Sequence, residues 1–526
     1  MFRNRVLLII TSSVLFALAL PNELFLFGNP LVALIALVPL YIALRRTSSW
    51  RSAARLGALF GLLSTILSNF WLMFFEDYSV WTIGGTALGY TAYNFLLGGF
   101  LWLVLRSGRS MRAPLFALMW TGYEYLKSVG FLGYPWGLAG YPFNSVLPLI
   151  QIADVTGVWI LSLMVVYCNA VLAEFLLDRR EVALVSVTVR HAAMVALLVL
   201  VSLIYGVARL SDEIPIRDQL TMTLVQQNVD TWNTSDPSGA LAQIQETTRR
   251  AVEASDTDID LIVWSETSLR YLYAESREWF RTNPRSAPFL PFLQDLPAPL
   301  LTGAPHYDRD RDEYYNAALL LEREGLVGTW YGKQQLVPFA ETIPFWDIEV
   351  VRAFFREVVG LSSTWSAGPG YELFTVRGEN GREIQIGTPI CFEDGFARVT
   401  AGFVHNGADL LVNLTNNAWS RTNSAQTQHF VASRFRSVES RRTLVRSTNA
   451  GYTTVLDPWG REIASLPMFE QATLTIDVPV YVSETPTIYL LWGDYLPVSI
   501  LVFFALLGAW YWWKSIKKGT PTRPLF

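Results

Sequence analysis

Reactive side chains are scarce in this chain, which holds two cysteines and four histidines among 526 residues. No Cys/His cluster offers a metal site, so neither a metal nor any other cofactor is expected. Charge is sparse too: 16% of residues are charged, the net charge is −4, and no basic run falls in a soluble-looking stretch. That balance gives no reason to expect a nucleic-acid partner.

What the chain has is apolar length. Its 51% hydrophobic and 14% aromatic content and its mean hydropathy of +0.28 exceed those of ordinary soluble chains, so a membrane protein is expected. Apolar runs near residues 6–21, 30–44, 56–75, 83–105, 113–126, 155–177, 191–208 and 488–513 each approach the roughly 17–25 residues that cross a bilayer as a helix. These make eight expected transmembrane helices. The first run, opening on "MFRNR", also has the regions of a cleaved signal peptide, and both readings stand.

Lysine and arginine placement orients the runs. Arg3 and Arg5 precede the first; Arg45, Arg46, Arg51 and Arg55 lie between the second and third. Arg106, Arg109 and Arg112 follow the fourth, Arg179, Arg180 and Arg190 the sixth, and Lys514, Lys517 and Lys518 the eighth. The alternate loops are nearly free of positive charge, which predicts cytoplasmic termini. The expected domains are 1–208 (helices one to seven), 209–486 on the outer side, and 487–526 (helix eight and a cytoplasmic tail). Outside the cytoplasm thiols drift to disulfides, but Cys168 lies inside the sixth run. An intramolecular bridge to Cys391 is therefore not expected, leaving intermolecular pairing or chemistry.

Segment 209–486 alternates strands with helices. "LTMTLVQQNV", "IDLIVWSET", "LLTGAPHY", "REIQIGTPIC" and "ADLLVNLTNN" read as strands. "AALLLEREGLVGTWYGK" reads as a hairpin, and "TLVRSTNAGYTTVLDPWGREIASL" as a final one. The pattern predicts a layered α/β domain with helix-covered sheets. In such folds reactive groups gather at strand ends, where Glu266, Lys333 and Cys391 all fall. A free thiol with a pKa near 8.5 needs a base. His191 lies in a membrane run, and His306, His405 and His429 have no protease-like context. Glu266 is the candidate base, its carboxylate desolvated by Trp264 and the apolar strand. Lys333 and the backbone N–H of Phe392 would hold an oxyanion. The acid pair Glu393–Asp394 need not touch the sulfur, because adjacent side chains can diverge.

These residues resemble the nitrilase (carbon–nitrogen hydrolase) superfamily, whose Glu-Lys-Cys triad runs in this order. Within it, the chain is similar to the bacterial apolipoprotein N-acyltransferases. "VWSET" is similar to their W-P-E motif and carries Glu266; "YGKQQLVPFAETIPF" carries Lys333 and Glu341; "PICFED" carries Cys391 and Glu393. "GYPWGLAGYPF" looks like a membrane-edge motif and suggests Tyr134 and Trp136 as substrate contacts, while "VQQNVDTW" suggests Trp232. Serine replaces proline in "WSE", phenylalanine replaces tyrosine in "CFE", and alanine replaces glycine in "PFAE"; none removes a reacting group.

The resemblance implies a nitrilase-like αββα sandwich between helices seven and eight, on the periplasmic side of the bacterial inner membrane. It implies transfer of an acyl chain from a phospholipid, through a Cys391 thioester, to the α-amine of a diacylglyceryl-cysteine apolipoprotein. Glu341 and Glu393 would orient Lys333 and tune the charge. A membrane-tethered amidase using the same triad is the alternative. Two further stretches invite attention. "DIEVVRAFFREVVGL" reads as an amphipathic arm for the membrane interface or for the domain core, and "RYLYAESREWFRTNP" as a lid or a core segment. Glu124 and Lys127 at i, i+3 read as a pair.

Overall fold

The computed structural model describes residues 2–75, 79–178, 182–230, 234–325, 327–343, 345–359, 364–483 and 485–518. The chain forms two compact units, Glu213–Leu490 being one and the flanking segments together the other.

The flanking unit is helical. Among the described residues, four helices are long and apolar enough to cross a membrane: Ser79–Val104, Trp159–Leu177, Ser186–Ser211 and Tyr495–Lys514. Ile204 and Leu506, 62% and 66% exposed, lie on such helices, and apolar surface of this kind needs a non-aqueous neighbour. Run 30–44 is not the single helix expected. Asn29 caps a short helix Pro30–Ala33, and a second, Val38–Arg45, restarts with proline in its first turn. Pro39 has no N–H to give to residue 35, so the first helix cannot run through it. Run 56–75 likewise stops at Ser68 and tightens into the 3₁₀ turn Phe70–Phe74. The helices Trp50–Ser68 and Ser79–Val104 approach through glycine. A Cβ on Gly98 would fall 2.7 Å from the Ala53 carbonyl oxygen and 2.8 Å from the Gly57 Cα, the close backbone contact that small residues allow between membrane helices.

The second unit has twelve strands. They are β1 (Ile216–Gln226), β2 (Leu261–Trp264), β3 (Leu300–Asp308), β4 (Glu313–Leu321), β5 (Val327–Gly332) and β6 (Leu373–Arg377). Then come β7 (Glu383–Gly387), β8 (Leu410–Thr415), β9 (Leu444–Thr448), β10 (Thr454–Leu456), β11 (Glu462–Ser465) and β12 (Ala472–Tyr481). One sheet runs β12-β1-β2-β3-β4-β5 and the other β11-β10-β9-β8-β7-β6. In each, the inner strands are parallel (β1-β2-β3; β7-β8-β9) and the outer ones antiparallel.

Helices cover the outer faces. Leu241 and Ile244 of the helix Pro237–Glu253 join Val225, Ile262 and Trp264 in one apolar core. The buried helix Asn423–Ser440 serves the second sheet. The two sheets meet face to face through hydroxyls and an amide: Ser447 donates to the Val263 carbonyl at 3.4 Å and Thr453 to Gln226 Oε1 at 2.6 Å. Two strands were not read from the sequence, β6 and β12. The latter follows the expected final hairpin and returns to pair with β1 along nearly its whole length.

Candidate active site

Three strand ends converge. Glu266 lies two residues past β2, Lys333 directly follows β5, and Cys391 follows β7 by four residues. The chain at Glu266 presses against β3: a Cβ on Gly303 would meet the Glu266 Cα at 2.5 Å and the Thr267 nitrogen at 2.6 Å. Only glycine leaves room for this turn, in which Thr267 has φ +55°.

Glu266 is buried. Its Oε1 accepts from the Asn316 amide at 2.9 Å and from Lys333 Nζ at 3.5 Å, and its Oε2 from the Asn416 backbone N–H at 2.9 Å. The desolvated setting beside Trp264 is not what the structure shows. Trp264 points into the helix-covered core, its ring stacked 5.9 Å from Phe292 and its Nε1 donating to Thr248 at 3.0 Å. β2 ends at Trp264 and Glu266 lies in the turn beyond it, so its side chain leaves that core and donors rather than an apolar wall hold the carboxylate.

Lys333 Nζ also donates to Glu341 Oε1 at 2.9 Å, an oxygen that takes the second Asn316 N–H at 2.9 Å. The Val337 N–H donates to Glu341 Oε2 at 2.8 Å and fixes that carboxylate. Burial works against the Lys333 charge, but Glu341 and then Glu266 outweigh it and lift the ammonium above its ordinary value. Lys333 therefore stays charged.

Cys391 is half-buried and opens the one-turn 3₁₀ helix Cys391–Gly395. Its φ of +51° is a strained backbone for a non-glycine residue. Burial first, and then the Glu266 carboxylate, push its thiol well above the ordinary value, while Lys333 pulls the other way. The resting sulfur is thus protonated, and the Glu266 carboxylate is near enough to act on it electrostatically.

The acid pair faces away from the sulfur. Glu393 does not reach Lys333 by a hydrogen bond; it grips the backbone that carries it. Its Oε1 accepts from the Gln334 and Gln335 N–H groups at 2.7 and 2.9 Å and its Oε2 from the Ile390 N–H at 2.7 Å, with the Tyr331 hydroxyl shared between them. Burial raises this carboxyl to about 7, against the pull of those backbone donors. Asp394 anchors the turn from the other side, with Arg446 Nε at 2.9 Å and His429 Nε2 at 2.6 Å. Although burial opposes its ionisation, His429 and Arg446 hold the Asp394 carboxyl below its ordinary value. Asn413 donates to the Pro389 and Cys391 carbonyls at 3.0 and 3.2 Å.

Sequence reasoning missed Asn316, Asn413, Asn416, His429 and Arg446. Two left a legible signal: Asn413 in "LLVNLT" and Arg446 in "TLVRST" are polar side chains inside apolar strands, which must find buried partners.

Other expected contacts fall elsewhere. Trp232 lies outside the described residues. Tyr134 and Trp136 belong to the helical unit, their rings stacked at 5.1 Å and 9°. Glu124 and Lys127 hydrogen-bond that same loop: Lys127 Nζ donates to the Trp136 carbonyl at 2.5 Å, and Glu124 Oε1 accepts from the Ala139 N–H at 2.8 Å. The 270–284 stretch is core on one side, with Tyr273 and Phe280 each 1% exposed.

A two-sheet α/β sandwich with a thiol, an ammonium and carboxylates at its strand ends has the make-up of a carbon–nitrogen hydrolase domain, and residues 221–487 match the family model described as Carbon-nitrogen hydrolase. Residues 12–171 match the model described as Apolipoprotein N-acyltransferase N-terminal domain. Over 506 residues the chain is 39% identical to Apolipoprotein N-acyltransferase 2 of Treponema denticola, covering 94% of this chain and 96% of that protein. It is 31% identical over 501 residues to the Apolipoprotein N-acyltransferase of Borreliella burgdorferi, covering 94% and 93%. The chain belongs to the apolipoprotein N-acyltransferase family and is an acyltransferase. Similar solved structures include Saccharomyces cerevisiae Nit3 of the nitrilase superfamily, with 18% identity, TM-score 0.35, and coverage of 50% of this chain and 91% of that one.

Proposed function

We propose that the chain moves an acyl group from a membrane phospholipid to the N-terminal α-amine of a diacylglyceryl-cysteine apolipoprotein, through an acyl thioester on Cys391. Cys391 Sγ attacks the ester carbonyl carbon as its proton passes to Glu266. Lys333 Nζ and the Phe392 backbone N–H stabilise the developing oxyanion. The carbon–oxygen bond breaks, Glu266 returns the proton to the leaving oxygen, and a lysophospholipid departs. The α-amine then attacks the thioester and gives a proton to Glu266. The carbon–sulfur bond breaks, and the thiolate takes that proton back. Substrate and product alternate on one nucleophile, so ping-pong kinetics are expected.

The observation carrying this reading is the convergence of Cys391, Glu266 and a charged Lys333 at three strand ends. The arm supports a lipid substrate: the helix Glu349–Phe354 buries none of its residues, and Val350 and Phe354 are 79% and 44% exposed. An apolar face left open in this way suits the bilayer interface rather than the domain core. The helical unit would cross the bacterial cytoplasmic membrane eight times, the broken segment Pro30–Arg45 counting once. The catalytic unit is then periplasmic and both termini cytoplasmic.

The test uses phospholipid with a radioactive acyl chain. Wild type should give a hydroxylamine-sensitive labelled band that Cys391→Ala lacks, and should pass the label to a diacylated lipopeptide. Labelled free fatty acid as the sole product would instead favour a hydrolase.

A further inference from the structure

One of the four histidines is buried beside the nucleophile. His429 sits in the second turn of the helix Asn423–Ser440 and is 4% exposed. A buried imidazole must place both of its ring nitrogens. Nδ1 accepts from the Asn417 side-chain amide at 3.1 Å. Nε2 faces two oxygens, Asp394 Oδ1 at 2.6 Å and the Cys391 carbonyl at 3.1 Å. A carboxylate and a carbonyl can only accept, so Nε2 carries a proton and shares it between them.

A second donor meets the same carbonyl. Asn413 Nδ2 donates to the Cys391 oxygen at 3.2 Å, so β8 and the helix each contribute one N–H to a single acceptor. The imidazole is itself aimed by Asp394, whose other oxygen accepts from Arg446 Nε at 2.9 Å, both side chains being 0% exposed. The clamp is therefore anchored at every point. It closes on a residue with φ +51°, a backbone that a non-glycine side chain holds only under restraint.

The peptide plane gives the clamp a chemical consequence. The Cys391 carbonyl and the Phe392 N–H belong to one planar unit. That bond is trans, so the two groups point in opposite directions, and fixing the oxygen fixes the line of the N–H. Donors on the carbonyl also draw density through the amide and make its N–H a stronger donor. We infer that His429 is a positioning residue for the oxyanion site: together with Asn413 it aims and polarises the Phe392 N–H. The inference rests on the acyl-transfer reading and adds a residue that acts through the peptide rather than on the acyl group.

The test compares two reactions of one thiol in the full chain, in detergent. Acylation by phospholipid with a radioactive acyl chain passes through an oxyanion. Alkylation by iodoacetamide forms a carbon–sulfur bond as iodide leaves, and needs none. His429→Asn keeps an amide near the Nδ1 position and loses the Nε2 donor, whereas His429→Gln keeps a donor near Nε2. His429→Asn should slow single-turnover acylation about tenfold, the worth of one hydrogen bond. The half-saturating phospholipid concentration and the iodoacetamide rate should not change, and His429→Gln should recover most of the acylation rate. Acylation at the wild-type rate in His429→Asn, or equal slowing of both reactions, overturns the inference. Should His429→Asn fail to fold, Asn413→Ser, which removes the other donor on the carbonyl, must show the same split between the two reactions; equal slowing there rejects the clamp. Wild type that alkylates but never takes the acyl label overturns the acyl-transfer reading, and the inference with it.

Discussion

Replacing Lys333 with methionine isolates the electrostatics of the site. Its ammonium, 1% exposed, sits 2.9 Å from Glu341 and 3.5 Å from Glu266. At an effective dielectric of 20 these contacts are worth about 6 and about 5 kcal/mol before desolvation is charged against them. Breaking a buried pair from one side costs about 3–5 kcal/mol net, because the partner stays buried and uncompensated. In Lys333→Met two carboxylates would share the single Asn316 amide, so one of them must take up a proton. Stability should fall by about 3–5 kcal/mol, and acyl-enzyme formation by at least about 10²-fold through loss of the proposed oxyanion donor. Glu341→Gln in the same background removes one orphan charge and should restore most of the stability and none of the activity. The measurements are thermal unfolding in detergent and single-turnover labelling with radioactive phospholipid. A Lys333→Met protein that unfolds like wild type, or a double variant that regains its labelling rate, would refute the reasoning.

Glu393 makes a pH prediction. Its carboxyl stands at about 7 against an ordinary 4.5, and a raised folded value means the folded state holds the proton more tightly. Its stabilising contribution is complete below about pH 4.5 and lost as pH rises to about 7, about 3 kcal/mol for a shift of this size. Glu393→Gln should erase that slope from the unfolding curve, and matching slopes would reject it. Asp394→Asn should lower stability by about 3–5 kcal/mol by stranding the buried Arg446; a change in the unfolding midpoint worth under 1 kcal/mol would contradict this. Val350→Glu/Phe354→Glu should leave the unfolding midpoint unchanged and slow acylation from vesicle-borne donor several-fold, while a short-chain soluble donor reacts at the wild-type rate.

The candidate reacting residues were legible because their types are rare and each ends a strongly apolar strand. Hydrophobic pattern marks "DLIVWSE" and "EIQIGTPIC" as strands, and a lone thiol or carboxylate at such an end draws notice. The supports were not legible because they come from distant chain. Asn416 reaches Glu266 across 150 residues, and β12 finds β1 through pairs such as Thr223 with Thr475. Pattern also misjudged continuity. Run 30–44 is apolar throughout, yet Pro39 divides it, and apolarity carries no record of a missing N–H. The neighbourhood of Glu266 failed differently: residues two apart on a strand share a face, but β2 ends at Trp264 and the turn beyond it carries Glu266 elsewhere.

The proposed base and ammonium ride on one sheet and the thiol on the other. Across that seam run the Asn416 N–H to Glu266 and the Glu393 grip on Gln334 and Gln335. A catalyst assembled from two slabs is only as accurate as their alignment. Slippage of half an ångström, too slight to unfold anything, would part proton donor from acceptor. Substitutions deep in the slab-to-slab joint, at Ser447 or Thr453 for instance, should therefore register in turnover long before they register in melting.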